Sequence, residues 1–254
     1  MKKLIILLAV LSVGLISAAE EIPQDPFPES GTVVRVADGD TITVRFSDGV
    51  ERRVRLIGVD APEMDDRREE VAWRAFLSRR FVFHHLYRRA VRLSYDAVPL
   101  DEHGRVLAYV WNAQGEIFNE LIIRRGFAAA FLKYPFRKDF QRRFRAAAAA
   151  ARKEGRGFWR TDDPGEIPVA EVRAHLGEIV AVRFRCAEVL KKSTFLSLRA
   201  AESDFEALIP RDRISSFPGA ESWAGKEVRL TGLAEEFAGR PQIIISFPRQ
   251  LRLT

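Results

Sequence analysis

The chain has 254 residues, 47% hydrophobic and 30% charged, a balance that excludes a disordered chain and leaves room for two modest domains. Its one cysteine, Cys186, excludes an internal disulfide framework, so stability must come from apolar burial, and Cys186 itself reads as a small buried hydrophobe. The net charge of +6 is unevenly spread, with 26 Lys and Arg against 17 Asp and Glu over residues 31–160 but 13 against 14 over residues 161–254, so attraction for a polyanion belongs to the first part.

Residues 1–19 place Lys2 and Lys3 ahead of an apolar run from Leu4 to Ile16 and end in Ser17, Ala18 and Ala19. This is the pattern of a secretory signal peptide cut after Ala19, and the run falls short of the roughly 20 residues of a membrane-spanning helix. The expectation is a secreted or periplasmic monomer with no stable membrane association. Residues 20–30, with three prolines and four acids, read as an extended leader.

From Gly31, TVVRVADGDTITVRF and VERRVRLIGV alternate apolar and polar residues around the turn pair Asp48-Gly49, a hairpin of half-buried strands. RAVRLSYD and RVLAYVWN add two strands to a small antiparallel sheet, and helices are expected over residues 67–86, 116–126 and 137–154. Gly126 caps the second helix; Phe158 and Trp159 pack back after the third. His84 and His85 lie in the arginine-rich first helix and lack metal-ligand spacing, so they read as a solvated face. A polar break at residues 161–166 separates this unit from residues 167–254, where five strand-like runs imply a small barrel of the OB type. Arg183, Arg185, Lys191 and Lys192 fall on its first hairpin and favour accessory contact with nucleic acid, against a protein-contact or purely stabilising role. No sequence repeat links the two halves.

The chemistry concentrates in three short segments at strand ends: Asp38-Gly-Asp-Thr41, Arg55-Leu-Ile-Gly-Val-Asp-Ala-Pro-Glu63 and Asp101-Glu-His-Gly-Arg105. Asp40 and Asp60 supply hard oxygen donors suited to calcium or magnesium, and Pro62 favours an extended Ala61 whose carbonyl makes a third. Glu63 is placed to hold or deprotonate a water. Arg55 and Arg105 offer forked donors for phosphate oxygens, which turns a cation site toward phosphodiester chemistry. Any one segment alone is more often a capped turn or a surface ion pair; their conjunction carries the signal.

That conjunction, with ADGDT, VRLIGVDAPE, DEHGRVLAYV, FNELIIRRGFA and GRGFW, closely resembles the staphylococcal nuclease family over residues 31–160. The resemblance implies a mainly β fold with helices: an OB-type five-stranded barrel flanked by helices, followed by the second small barrel. It also implies a calcium-dependent endonuclease acting on DNA and RNA and leaving 3′-phosphates. One Ca2+ would sit at Asp40, Asp60 and the Ala61 carbonyl, Glu63 would act on water, and Arg55 and Arg105 on phosphate. The best-known member has a tyrosine where this chain has His103; His103 and Tyr134 are candidate stacking residues for bases. The rival reading is a catalytically silent nucleic-acid-binding or envelope scaffold protein, which would be expected to lose the carboxylates or arginines that are all present here.

Overall fold

The computed structural model describes residues 27–253. The signal-peptide reading of residues 1–19 and most of the 20–30 leader lie outside these described residues.

In the first half the strands are β1 (Ser30–Val36), β2 (Thr41–Phe46), β3 (Glu51–Leu56) and the short β4 (Val59–Asp60). Helix α1 (Glu69–Leu86), β5 (Ala90–Ser94), β6 (Val106–Trp111), α2 (Phe118–Arg124), β7 (Ala129–Ala130) and α3 (Lys138–Lys153) follow. The long run TVVRVADGDTITVRF is two strands, because the Asp38 carboxylate accepts the N–H groups of Asp40 (3.0 Å) and Thr41 (2.7 Å) and folds the chain back. Five strands close into a barrel in the order β1-β2-β3-β6-β5, with Gly31 opposite Val91 at the closure. One expectation is corrected: β6 runs parallel to β3, with Arg55 opposite Leu107, so the sheet is not wholly antiparallel. A parallel neighbour needs a long crossover, and α1 with β5 provides it.

Asn119 of α2 secures that parallel seam. Fully buried, it accepts the Val110 N–H (2.9 Å) and donates to the carbonyls of Ile57 (2.9 Å) and Ala108 (3.2 Å). Helix α3 turns Phe140, Phe144, Ala147, Ala148 and Ala151 inward, so its alanine run is a close-packing face. Gly126 and Gly157, both at positive φ, let the end of α2 meet the 3-10 turn Gly157–Trp159, where Phe158 donates to the Gly126 carbonyl and its ring meets Phe127 edge-on.

The second half contains β8 (Glu166–Pro168), β9 (Ile179–Lys191), β10 (Phe195–Ala200), β11 (Glu206–Pro210), β12 (Glu227–Leu233), β13 (Glu235–Phe237), β14 (Arg240–Ile244) and β15 (Leu251–Leu253). The pairing order β13-β14-β11-β10-β9-β12 returns on itself, because only Ala234 separates β12 from β13. Counting β12 with β13 as one bent strand, this is the cyclic order of the first barrel, including one parallel pair between the third and fifth strands, β11 and β14. Its separate core includes Phe184, Phe205, Leu198, Ile209 and Trp223, with Cys186 fully buried among them.

The two halves meet across α1. Trp73 and Phe76 on α1 ring Phe247, with centroids 5.6 Å from it in both cases, and Leu233 belongs to the core of the first half. Arg80 donates Nε to Glu235 (2.7 Å), whose side chain is 2% exposed, and Arg249 pairs with Glu70. His84 and His85 are therefore not on a solvated face. The His84 Nδ1 accepts the Glu236 N–H (3.4 Å), His85 Nδ1 donates to the Phe81 carbonyl (2.9 Å), and Gly177 lies against the His85 ring. Burial, the largest effect on each, lowers both imidazoles from 6.5 to about 4.

Candidate active site

Asp40 is the centre of the arrangement. It ends the Asp38 turn, is 6% exposed, and its two carboxylate oxygens face different partners. Oδ2 accepts the Ala61 N–H (3.0 Å) and lies 2.9 Å from Arg55 Nη1; Oδ1 accepts the Thr41 hydroxyl (3.0 Å). The turn can enter this deeply because residue 39 is glycine: a Cβ there would lie 1.8 Å from Ser78 Oγ of α1 and 2.6 Å from the Ala61 Cβ. Backbone pairing adds to the fixation, since Leu56 donates its N–H to the Asp40 carbonyl (2.9 Å).

Arg55 comes from β3, directly opposite Thr41 in the ladder. Its Nη1 also donates to the Val59 carbonyl (2.8 Å), so one end of the fork is committed to Asp40 and the chain leading to Asp60. A guanidinium carries five N–H donors, and the remainder stay available for an anion. Arg105 opens into β6 from the Asp101–Arg105 turn. Asp101 Oδ1 accepts the backbone N–H of His103 (3.0 Å) and Arg105 (2.9 Å), while Oδ2 accepts Arg105 Nε (2.7 Å). Arg105 Nη1 reaches Thr41 Oγ1 at 3.4 Å. The two guanidinium groups thus approach opposite oxygens of Asp40, Arg55 directly and Arg105 through Thr41.

Burial pushes the Asp40 carboxyl up to about 7, against the pull of Arg55 and with a smaller push from Asp38. The buried carboxylate thus still favours an added positive charge. Two carboxylate oxygens carry about four acceptor positions, and three are taken here, which leaves one on Oδ1 for a cation. Asp60 and the Ala61 backbone adjoin this point, with Asp60 exposed at the end of β4 and Ala61 buried. The donors are hard oxygens, so the set fits a cation such as calcium or magnesium. Among the described residues no three His, Cys, Asp or Glu side chains converge as a metal cluster.

Asp60 and Glu63 are exposed, and neither side chain bonds to another described residue. The side chains of His103 and Tyr134, 66% and 61% exposed, stand apart from this network: among the described residues the His103 ring meets only Glu102 (3.7 Å), and Tyr134 meets Phe131 and Lys133. The sequence reading named the five charged residues and the Ala61 carbonyl but gave no role to Thr41, Asp101, Gly39 or Ser78. Thr41 and Asp101 stood inside the quoted segments. Nothing marked Ser78, whose buried hydroxyl has no hydrogen-bond partner among the described residues.

The staphylococcal nuclease homologue family matches residues 53–161, which takes in Arg55, Asp60, Glu63 and Arg105 and begins after Asp40. The thermonuclease of Staphylococcus intermedius is 40% identical over 131 residues, 52% of this chain and 76% of that protein. The thermonuclease of Staphylococcus hyicus is 39% identical over 127 residues, 50% and 73% of the two chains. Endonuclease YhcR of Bacillus subtilis is 30% identical over 158 residues, 57% of this chain but 13% of its own length. With its barrel, its paired arginines around a buried aspartate and these relatives, the chain belongs to the staphylococcal nuclease family of hydrolases.

Proposed function

We propose that the protein is an exported, calcium-dependent endonuclease that hydrolyses phosphodiester bonds of DNA and RNA and leaves 3′-phosphates. The observation that carries this reading is the approach of Arg55 and Arg105 to opposite sides of Asp40, which places two forks of N–H donors beside a cation-seeking carboxylate. Asp40, Asp60 and the Ala61 carbonyl would hold the calcium, which when bound neutralises phosphate charge and lowers the pKa of water. Glu63, with no side-chain partner among the described residues, takes a proton from the attacking water. The water oxygen bonds to phosphorus as the bond to the 5′-oxygen breaks, and that oxygen takes its proton from solvent. The free N–H groups of Arg55 and Arg105 bind the non-bridging oxygens as their charge grows. Asp101 and Thr41 hold Arg105 in the required orientation. Export rests on the pattern of residues 1–19, and a monomer is the simplest working unit.

The test is cleavage of single-stranded DNA, duplex DNA and RNA by the purified chain in calcium, magnesium or chelator. Calcium-stimulated cleavage that falls roughly 10²–10³-fold in Arg105→Ala and Glu63→Gln supports the assignment. Tight binding without cleavage in any metal would overturn it.

A further inference from the structure

Two of the four cations named on the β9 hairpin are paired with acids. Arg183 is held by Glu166 (2.9 Å) and Lys191 by Glu221 (2.8 Å). A different basic feature lies where the two halves meet. An open groove of about 540 Å³ runs between the end of α2, the turn after α3 and the Gly177–Ile179 segment that leads into β9. This is within the roughly 300–1,000 Å³ of ligand-sized clefts. Arg124, Arg125, Arg156 and Arg160 line it, with Glu178 as the only acid and Phe127 and Ile179 as its apolar lining.

The arginines are accessible and lightly committed. Arg125 reaches Glu178 only at 3.7 Å, Arg124 meets Glu116 at 3.1 Å, and Arg156 pairs with Glu154, all three side chains being 40–44% exposed. Arg160 is exposed, and its side chain has no hydrogen-bond or ion-pair partner among the described residues. Such exposed pairs are weak and yield readily to a stronger anion. Four planar forks along one groove match a run of phosphates better than they match one small anion. None of Asp40, Arg55, Asp60, Glu63 or Arg105 lines the groove.

We infer that this groove is an accessory site for the phosphodiester backbone of a single nucleic-acid strand, built jointly by the two halves and separate from the catalytic centre. It rests on the proposed action on nucleic acid; the first half supplies all four arginines and the second half one wall of the groove, Gly177 to Ile179. Long strands engage it together with the catalytic centre, whereas short substrates fill the catalytic centre alone.

The experiment compares the full chain with the Arg125→Gln/Arg160→Gln variant. Binding of a DNA strand of about 30 nucleotides, longer than the ~4–16 nucleotides one small barrel covers, is measured in chelator across a salt series. Cleavage of a substrate of about four nucleotides is measured in calcium. The double variant is expected to bind the long strand about tenfold more weakly, with a salt slope shallower by about 1.4 from two lost phosphate contacts. Short-substrate cleavage stays unchanged, and Glu178→Gln binds the long strand more tightly than the parent chain. Equal long-strand affinity and slope in parent and double variant overturn the inference, as does a parallel loss of short-substrate cleavage. A third result also overturns it: inorganic phosphate raises the unfolding midpoint of the parent but not of the double variant while strand affinity is the same, which makes the groove a small-anion site. Absence of short-substrate cleavage by the parent would count against the proposed activity alone, because strand binding in chelator does not depend on it.

Discussion

Thr41 is the residue that links Arg105 to Asp40, because its hydroxyl donates to Asp40 and lies 3.4 Å from Arg105. Thr41→Val keeps the shape and removes the oxygen; it should lower kcat about 10- to 100-fold and, by leaving the buried Asp40 Oδ1 without its donor, cost roughly 1–3 kcal/mol of stability. Steady-state kinetics beside a thermal melt separate the two effects. Gly39 makes the opposite case, since its role is spatial. Gly39→Ala forces a methyl group into Ser78 and Ala61, and should cost roughly 1–3 kcal/mol in urea unfolding. The charged residues of the candidate site were legible as candidates because phosphate chemistry restricts which side chains can serve. Gly39 and Ser78 were not, since their roles arise only when α1 packs onto the turn and no local pattern in either segment records that contact.

At the scale of elements, the seam between β3 and β6 is where the barrel is most dependent on one side chain. Asn119→Ala would strand the Val110 N–H and the Ile57 carbonyl, while the Ala108 carbonyl keeps the Ile57 N–H, and should cost about 3 kcal/mol by chemical denaturation, whereas a surface change such as Glu120→Gln should cost little. Strand positions were readable from alternation, as β2, β3, β5 and β6 show. The parallel pairing was not, because alternation fixes which face a residue takes and says nothing about the direction of a neighbour. Helix α1 was misread for a related reason. Its arginines and histidines suggested a wet face, yet Trp73, Phe76, Phe81, Val82 and Leu86 leave no side without apolar bulk, the pattern of a helix covered on more than one side. Both halves were expected as barrels of the OB type, and they share a strand order without a sequence repeat, because pairing geometry sets that order and needs no shared residues.

For the molecule as a whole, the contact between the halves should make stability depend on acidity. His84 and His85 titrate near 4 when folded and near 6.5 when free, so between these values the unfolded chain binds more protons. Their contribution is complete above about pH 6.5 and is lost progressively as pH falls toward 4. Urea unfolding from pH 7.5 to 4.5 should show this decline, and His84→Asn/His85→Asn should flatten it. Removing residues 167–253 should uncover Trp73 and Phe76, giving a fragment that binds hydrophobic dyes and aggregates at concentrations where the full chain does not. The Arg80–Glu235 pair joins positions 155 residues apart, and Arg249–Glu70 spans 179. Closing loops of that length is slow compared with forming a hairpin. The Asp38–Thr41 turn leans on α1, and α1 is fully clasped only when residues 235–250 arrive, so the order of events in refolding has a definite reading. Amide protons of α1 should gain their final protection in the same slow phase as β12 and β13, and nuclease activity should rise with that phase instead of with formation of the first barrel's hairpins.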